Sequence, residues 1–202
     1  HTGGKQGTQV SRAVGKSVSL QQLNGASREE FVSALRPLFN NETWPLELAW
    51  ESRPFGDVNE LRAAIQVAVL TADDSRRAAL IHDYPAMDKL LLADADEAAT
   101  ISADRGSLGL TDLDDVQTER ITELSAAYRE RFDMPFVAYL DTNDTVDRVI
   151  DAGVRRLANS PEQEYRTALG EIVEIANDRF DILLADANPV RSSWDRKFTE
   201  VD

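Results

Sequence analysis

Four places in the 202-residue chain carry residue types that could do chemistry. The stretch "IHDYPAM", residues 81–87, sets a histidine, an aspartate and a tyrosine just ahead of Pro85. His82 is the one histidine besides His1, and an imidazole that titrates near neutrality suits general acid–base work. A lone helical histidine is more often a surface residue, however, and Tyr84 before a proline reads as a packing aromatic at a helix end. "ISADRGSLGL" supplies Asp104 and Arg105, a loop pair whose charges are ordinarily solvated. Arg53 in "SRPF" is placed to cap a helix C-terminus. Arg179 follows Ala176 and Ile175 by three and four residues, which puts it along an apolar helix face. A guanidinium buried there needs an anionic partner, either a carboxylate of the fold or one carried by a ligand. The residues alone weigh towards the internal ion pair, and no catalytic constellation stands out.

Composition narrows the chemistry. There is no cysteine, so disulfides, thiolate nucleophiles and thiolate metal sites are excluded. Two histidines leave neither a histidine-based metal cluster nor a Ser-His-Asp triad. Asp and Glu number 36 against 22 Lys and Arg, a net charge of −14 that repels phosphate backbones, so no nucleic-acid partner is expected. The aspartate-rich, lysine-poor bias suits high salt, and high-GC coding gives the same bias. No run approaches a membrane span and no signal peptide opens the chain, so a cytoplasmic protein with no membrane partner is expected.

The elements that must position these residues read as helices. "NGASREEFVSALRPLF" opens one, with Ser27 as N-cap and Glu30 completing a capping box. "TWPLELAWESRPF" starts a short helix around Pro45 that stops before Pro54. "DVNELRAAIQVAVLTA" carries Leu61, Ile65 and Val69 on one face, and a helix over 74–82 is followed by a short one ending at Leu92. Residues 93–111 read as a loop. "TDLDDVQTERITELSAAYRERF" is a long helix capped near Thr111, with Val116, Ile121, Leu124 and Tyr128 as its core stripe. "DMPFVAYLDTND" breaks the rhythm and reads as strand or irregular chain. "TVDRVIDAGVRRLANS" is helical again, and Ser160, Pro161 and Gln163 cap a long last helix with Leu169, Ile172, Ile175, Ala176 and Leu183 on its apolar stripe. With 42% hydrophobic and 29% charged residues, one compact all-α domain is predicted over 17–187. Residues 1–16 are expected to be a floppy arm or tag remnant, and 188–202 a polar tail.

Taken in order, "ETWPLELAWESRPF", "LIHDYP", "LGL", "YRERFDMPFV" and "RRLANSPEQEYRTALGEIVEIANDRFDIL" resemble the 2-oxo-4-hydroxy-4-carboxy-5-ureidoimidazoline (OHCU) decarboxylase family, over roughly residues 20–185. The resemblance implies an all-helical domain that uses no cofactor and is often a homodimer. It implies a small anionic ring substrate and the third step of urate breakdown, in which carboxylate is lost and (S)-allantoin is left. It also implies site residues. The catalytic positions are Tyr84 and Asp104, and Pro85, Arg105, Phe136, Val137 and Arg179 bind substrate.

The departures fall on the chemistry. Where the family carries Ala-His-Pro this chain has Asp83-Tyr84-Pro85, and the family's Glu-Gln pair is Asp104-Arg105. His82 cannot simply take over, because two residues along a helix is a turn of about 200°. A tyrosine, with a pKa near about 10, can donate a hydrogen bond or a proton but is a poor base at pH 7. The competing reading is therefore a silent or repurposed relative that binds a small carboxylate ligand or a protein partner. More remote is a structural or interaction domain with Arg179 paired internally. The leading reading expects Arg179 to be largely buried and to face one cavity with Tyr84 and Asp104.

Overall fold

The computed structural model describes residues 17–92, 113–140 and 144–186. Among these the elements are α1 (Leu20–Gly25), α2 (Arg28–Leu35), a 3-10 turn (Arg36–Leu38), α3 (Trp44–Trp50), α4 (Val58–Thr71), α5 (Asp74–His82), α6 (Met87–Leu92), α7 (Asp115–Phe132), α8 (Val146–Arg156) and α9 (Pro161–Leu183). One isolated parallel bridge, Val18 to Leu184, ties the chain's two described ends together. No helix among the described residues is long and apolar enough to cross a membrane.

Helix starts follow the side chains available to the orphan N–H groups of each first turn. Ser27 with Glu30 and Ser160 with Gln163 form reciprocal capping boxes, an arrangement in which each cap contributes about 1 kcal/mol. α7 departs from expectation: its N-cap is Asp114, boxed with Gln117, rather than a residue near Thr111, which lies outside the described residues. Val116 is 65% exposed and leaves the core stripe to Ile121, Leu124, Tyr128 and Phe132. The first turn therefore points its apolar residue outward, and the buried face begins one turn later.

α9 is the central element. Its buried stripe runs in steps of four through Glu164, Ala168, Ile172, Ala176 and Phe180, with Leu169 and Asp181 alongside. Around it stand α4, through Arg62 to Asp181 at 2.6 Å and Gln66 to Asn177 at 3.0 Å, α5, through the Tyr165 hydroxyl donating to the Asp74 carbonyl, and α7. Arg53 does cap α3: its Nε donates to the Trp50 carbonyl at 3.0 Å, and Nη1 reaches the Asn24 and Ala26 carbonyls of the α1–α2 turn.

α7 ends in a left-handed residue, Asp133 at φ 52°, whose N–H closes on the Arg129 carbonyl. That conformation reverses the chain and lays residues 134–140 back over the core as irregular chain, with Met134, Phe136 and Val137 buried. The close approach of α8 beneath this segment depends on Gly153. A Cβ there would lie 2.5 Å from Leu124 Cδ2 and 2.8 Å from Phe136 Cζ.

Candidate active site

The end of α5 and the 134–140 segment meet directly. After the α5 C-cap, Asp83, the Tyr84 N–H donates to the Ile81 carbonyl at 3.1 Å and the ring turns inward, 7% exposed. Pro85 is half-buried, and two residues on the Met87 N–H donates to the Phe136 carbonyl at 2.8 Å. Tyr84, Pro85, Phe136 and Val137 thus belong to two chain segments bonded to each other. His82 and Asp83 are exposed, as expected of a helix-end pair on the solvent side.

Arg179 enters from α9. It is half-buried rather than largely buried, because it sits at the rim where α9 passes the 3-10 turn. Its Nη1 donates to the Pro37 carbonyl at 3.3 Å, the Leu38 carbonyl at 3.5 Å and Asn40 Oδ1 at 3.3 Å. The same loop touches the end of α5: Glu42 hydrogen-bonds Asp83, and that contact, with burial and the negative charge of Asp83, raises the Glu42 pKa above its ordinary value. Loop 40–42 therefore spans from the residue beside Tyr84 to the guanidinium of Arg179. On the other side the Tyr139 hydroxyl donates to Asp178 Oδ2 at 2.6 Å, and the Tyr139 N–H to Glu171 Oε2 at 3.0 Å. Burial raises the Glu171 pKa, with the Tyr139 N–H opposing it. Asp104 and Arg105 lie outside the described residues.

Behind the segment is a buried ionic cluster that residue spacing alone does not announce. Glu164 is fully buried. Its Oε1 accepts from the Tyr128 hydroxyl and from Arg156 Nε, both at 2.6 Å, and its Oε2 from Asn159 Nδ2 at 2.9 Å. Arg156 Nη2 lies 2.5 Å from the same Oε1, close enough for ion pairing but not aligned for another hydrogen bond. Arg156 Nη1 donates to the Val137 carbonyl at 2.7 Å, and the guanidinium lies 4.9 Å over the Phe136 ring. Burial first, and then donation to Glu164, raises the Tyr128 pKa strongly, so the phenol stays protonated. The sequence signal for this cluster was present in the Arg156-Leu157-Ala158-Asn159 run followed by Glu164.

A crevice of about 270 Å³, counted with the open solvent it contains, lies between α4 and α9 and is lined by Leu38, Phe39, Ile65, Gln66, Asn177 and Phe180 among others. Its lining includes neither Tyr84 nor Arg179, although Leu38, which lines it, gives its carbonyl to Arg179. Among the described residues no group of three or more His, Asp or Glu is placed to hold a metal.

Comparison with known proteins gives the family and the fold. A model of the OHCU decarboxylase family matches residues 24–181. A 2-oxo-4-hydroxy-4-carboxy-5-ureidoimidazoline decarboxylase of Haloferax volcanii is 37% identical over 164 residues, covering 80% of this chain and 94% of its own. The Mus musculus protein of that name is 32% identical over 181 residues, covering 86% and 98%. Among solved structures, a crystal structure of (S)-allantoin synthase superposes with a TM-score of 0.64 at 22% identity, covering 83% of this chain and 54% of that one. That superposition shows a shared fold.

Proposed function

The chain belongs to the OHCU decarboxylase family, and from that premise we propose that it decarboxylates the ureidoimidazoline of urate breakdown, or a closely related carboxylated ring. The observation that carries the proposal is a family match running over most of this chain and nearly all of its curated relatives. The product is (S)-allantoin or its counterpart, and no cofactor takes part.

The reaction breaks the bond between the ring carbon and its carboxylate. CO2 leaves, the electron pair stays on the carbon as an enolate-like anion, and a proton must then arrive on one face. An enzyme gains by placing donors where that charge develops. Arg179 supplies the cation for the substrate's anionic group. Its contacts to main-chain carbonyls and to Asn40 Oδ1 fix its position. The Phe136–Val137 backbone faces the ligand, Pro85 packs against it, and Asp104 and Arg105 complete the reading from the 93–112 region. Tyr84 stands where the family has its histidine, and its O–H orients the substrate and supplies the proton. A phenol is a weak base at pH 7, so the chain acts by donating, and more slowly than a histidine-bearing relative. The protein is read as cytoplasmic and as a homodimer.

The test is the rate of substrate disappearance, followed by absorbance after substrate is generated from urate. Decay that accelerates in proportion to added protein, with a KM raised in Arg179→Gln, is the expected result. Spontaneous decay unchanged at high protein concentration would favour a silent, ligand-binding relative.

A further inference from the structure

Resting on the reading of residues 84–85 and 136–137 as ligand-facing, we infer that Arg156 is a positioning residue: it holds the Val137 carbonyl from inside the core and so fixes the segment that meets both Tyr84 and the substrate. Three observations lead to it. Arg156 is 9% exposed and forks between two duties, with Nε on Glu164 and Nη1 on the Val137 carbonyl. The preceding carbonyl, Phe136, is taken by the Met87 N–H, so both carbonyls of the segment are engaged by the protein. A peptide whose carbonyl accepts a charged hydrogen bond has a more polarised N–H on its other side. The Arg156 contact thus polarises the Ala138 N–H, and the neutral Met87 contact acts more weakly on the Val137 N–H, which suits an anionic ring. The guanidinium is aimed in turn by Glu164, itself held by Tyr128 and Asn159. The resulting chain runs from Glu164 through Arg156 and Val137 to Phe136, Met87 and the Tyr84 turn.

A merely structural ion pair would have the same burial, so the test separates anchoring from stability. Arg156→Lys keeps a positive charge for Glu164 but replaces the rigid planar fork, which reaches the Val137 carbonyl from a second nitrogen, with a single compact ammonium that holds that carbonyl less firmly. Tyr128→Phe removes a hydrogen bond to Glu164 while leaving the Arg156–Val137 bond and the ring packing. Both variants are expected to lower the melting temperature. Arg156→Lys alone should speed amide exchange at Met87 by tenfold or more and lower kcat by about a hundredfold, the scale associated with a misplacement of about 1 Å. Where Arg156→Lys does not fold, the double variant Arg156→Gln/Glu164→Gln removes both buried charges together and should give the same two changes. Met87 exchange at the wild-type rate in the Arg156 variants, or equal changes in Tyr128→Phe, would overturn the inference. The exchange comparison needs no turnover, so it decides this point even if the wild-type protein shows no decarboxylase activity.

Discussion

Replacing Gly153 by alanine sets two effects of known sign against each other. In an unencumbered helix interior the exchange gains about 1 kcal/mol, since alanine loses less backbone freedom on folding. At Gly153 the new Cβ would lie 2.5 Å from Leu124 Cδ2 and 2.8 Å from Phe136 Cζ. Ordinary carbon–carbon contact is about 3.5–4.0 Å, so each neighbour must retreat by roughly 1 Å. Leu124 and Phe136 are both buried, 4% and 1% exposed, and have little room to do so. Overpacking a dense core costs about 1–3 kcal/mol, and contacts this short belong at the upper end of that range. The net expectation is a loss of about 1–2 kcal/mol, or a melting temperature lower by roughly 2–8 °C for a chain of this size. Gly170, on the exposed side of α9 with nothing within 4 Å of its Cβ position, is the internal control. Gly170→Ala should raise the melting temperature by roughly 1–4 °C. Thermal unfolding followed by circular dichroism measures both. A Gly153→Ala protein as stable as wild type, or stabilised like Gly170→Ala, would refute the close α7–α8 approach on which the placing of Phe136 rests.

Two further expectations concern the site. On the proposed reading, Tyr84→His alone should recover only part of the family activity, because the resemblance puts Asp104, one methylene shorter, in the place of the family's glutamate and Arg105 in that of its glutamine. The triple variant Tyr84→His, Asp104→Glu, Arg105→Gln should exceed the single one in turnover by a wide margin, and equal kcat values would show the imidazole alone to be limiting. Burial raises the Glu171 pKa above its ordinary 4.5. A carboxyl that holds its proton more tightly when folded loses its stabilising contribution as pH rises from about 4.5 through the folded value. Glu171→Gln keeps an acceptor for the Tyr139 N–H and removes that slope. Its unfolding free energy between pH 4.5 and 7 should therefore fall less steeply than that of wild type, and parallel curves would show that Glu171 is not the source.

Local signals were read correctly where a capping side chain stands directly ahead of a strong apolar period. The boxes at Ser27 and Ser160 and the stop after α3 follow from residues within four positions of one another. The α1 box of Ser19 with Gln22 obeys the same chemistry, but it opens a six-residue polar helix with no apolar period to draw attention to it. What periodicity could not supply was the partner of a charge. An acid in the first turn of a helix reads as a solvated complement to the helix dipole, yet Glu164 is fully buried, because Tyr128 and Arg156 converge on it from α7 and α8. Arg179 was legible as a residue on an apolar face. Its half-burial was not, since that depends on the 3-10 turn reaching it from the other end of the chain. The proposed site positions came from the ordered family motifs, and the Met87–Phe136 bond that joins two of those motifs is a tertiary contact.

The most direct measurement is the handedness of the product. Ureidoimidazoline freshly made from urate decays unaided to racemic allantoin, so a growing circular-dichroism signal reports protonation on one face under the protein's control. An enantiomeric excess of (S)-allantoin that increases with protein concentration, and is lost in Arg179→Gln, is the predicted result. Racemic product at high concentrations of the folded protein would contradict the assignment of decarboxylase activity.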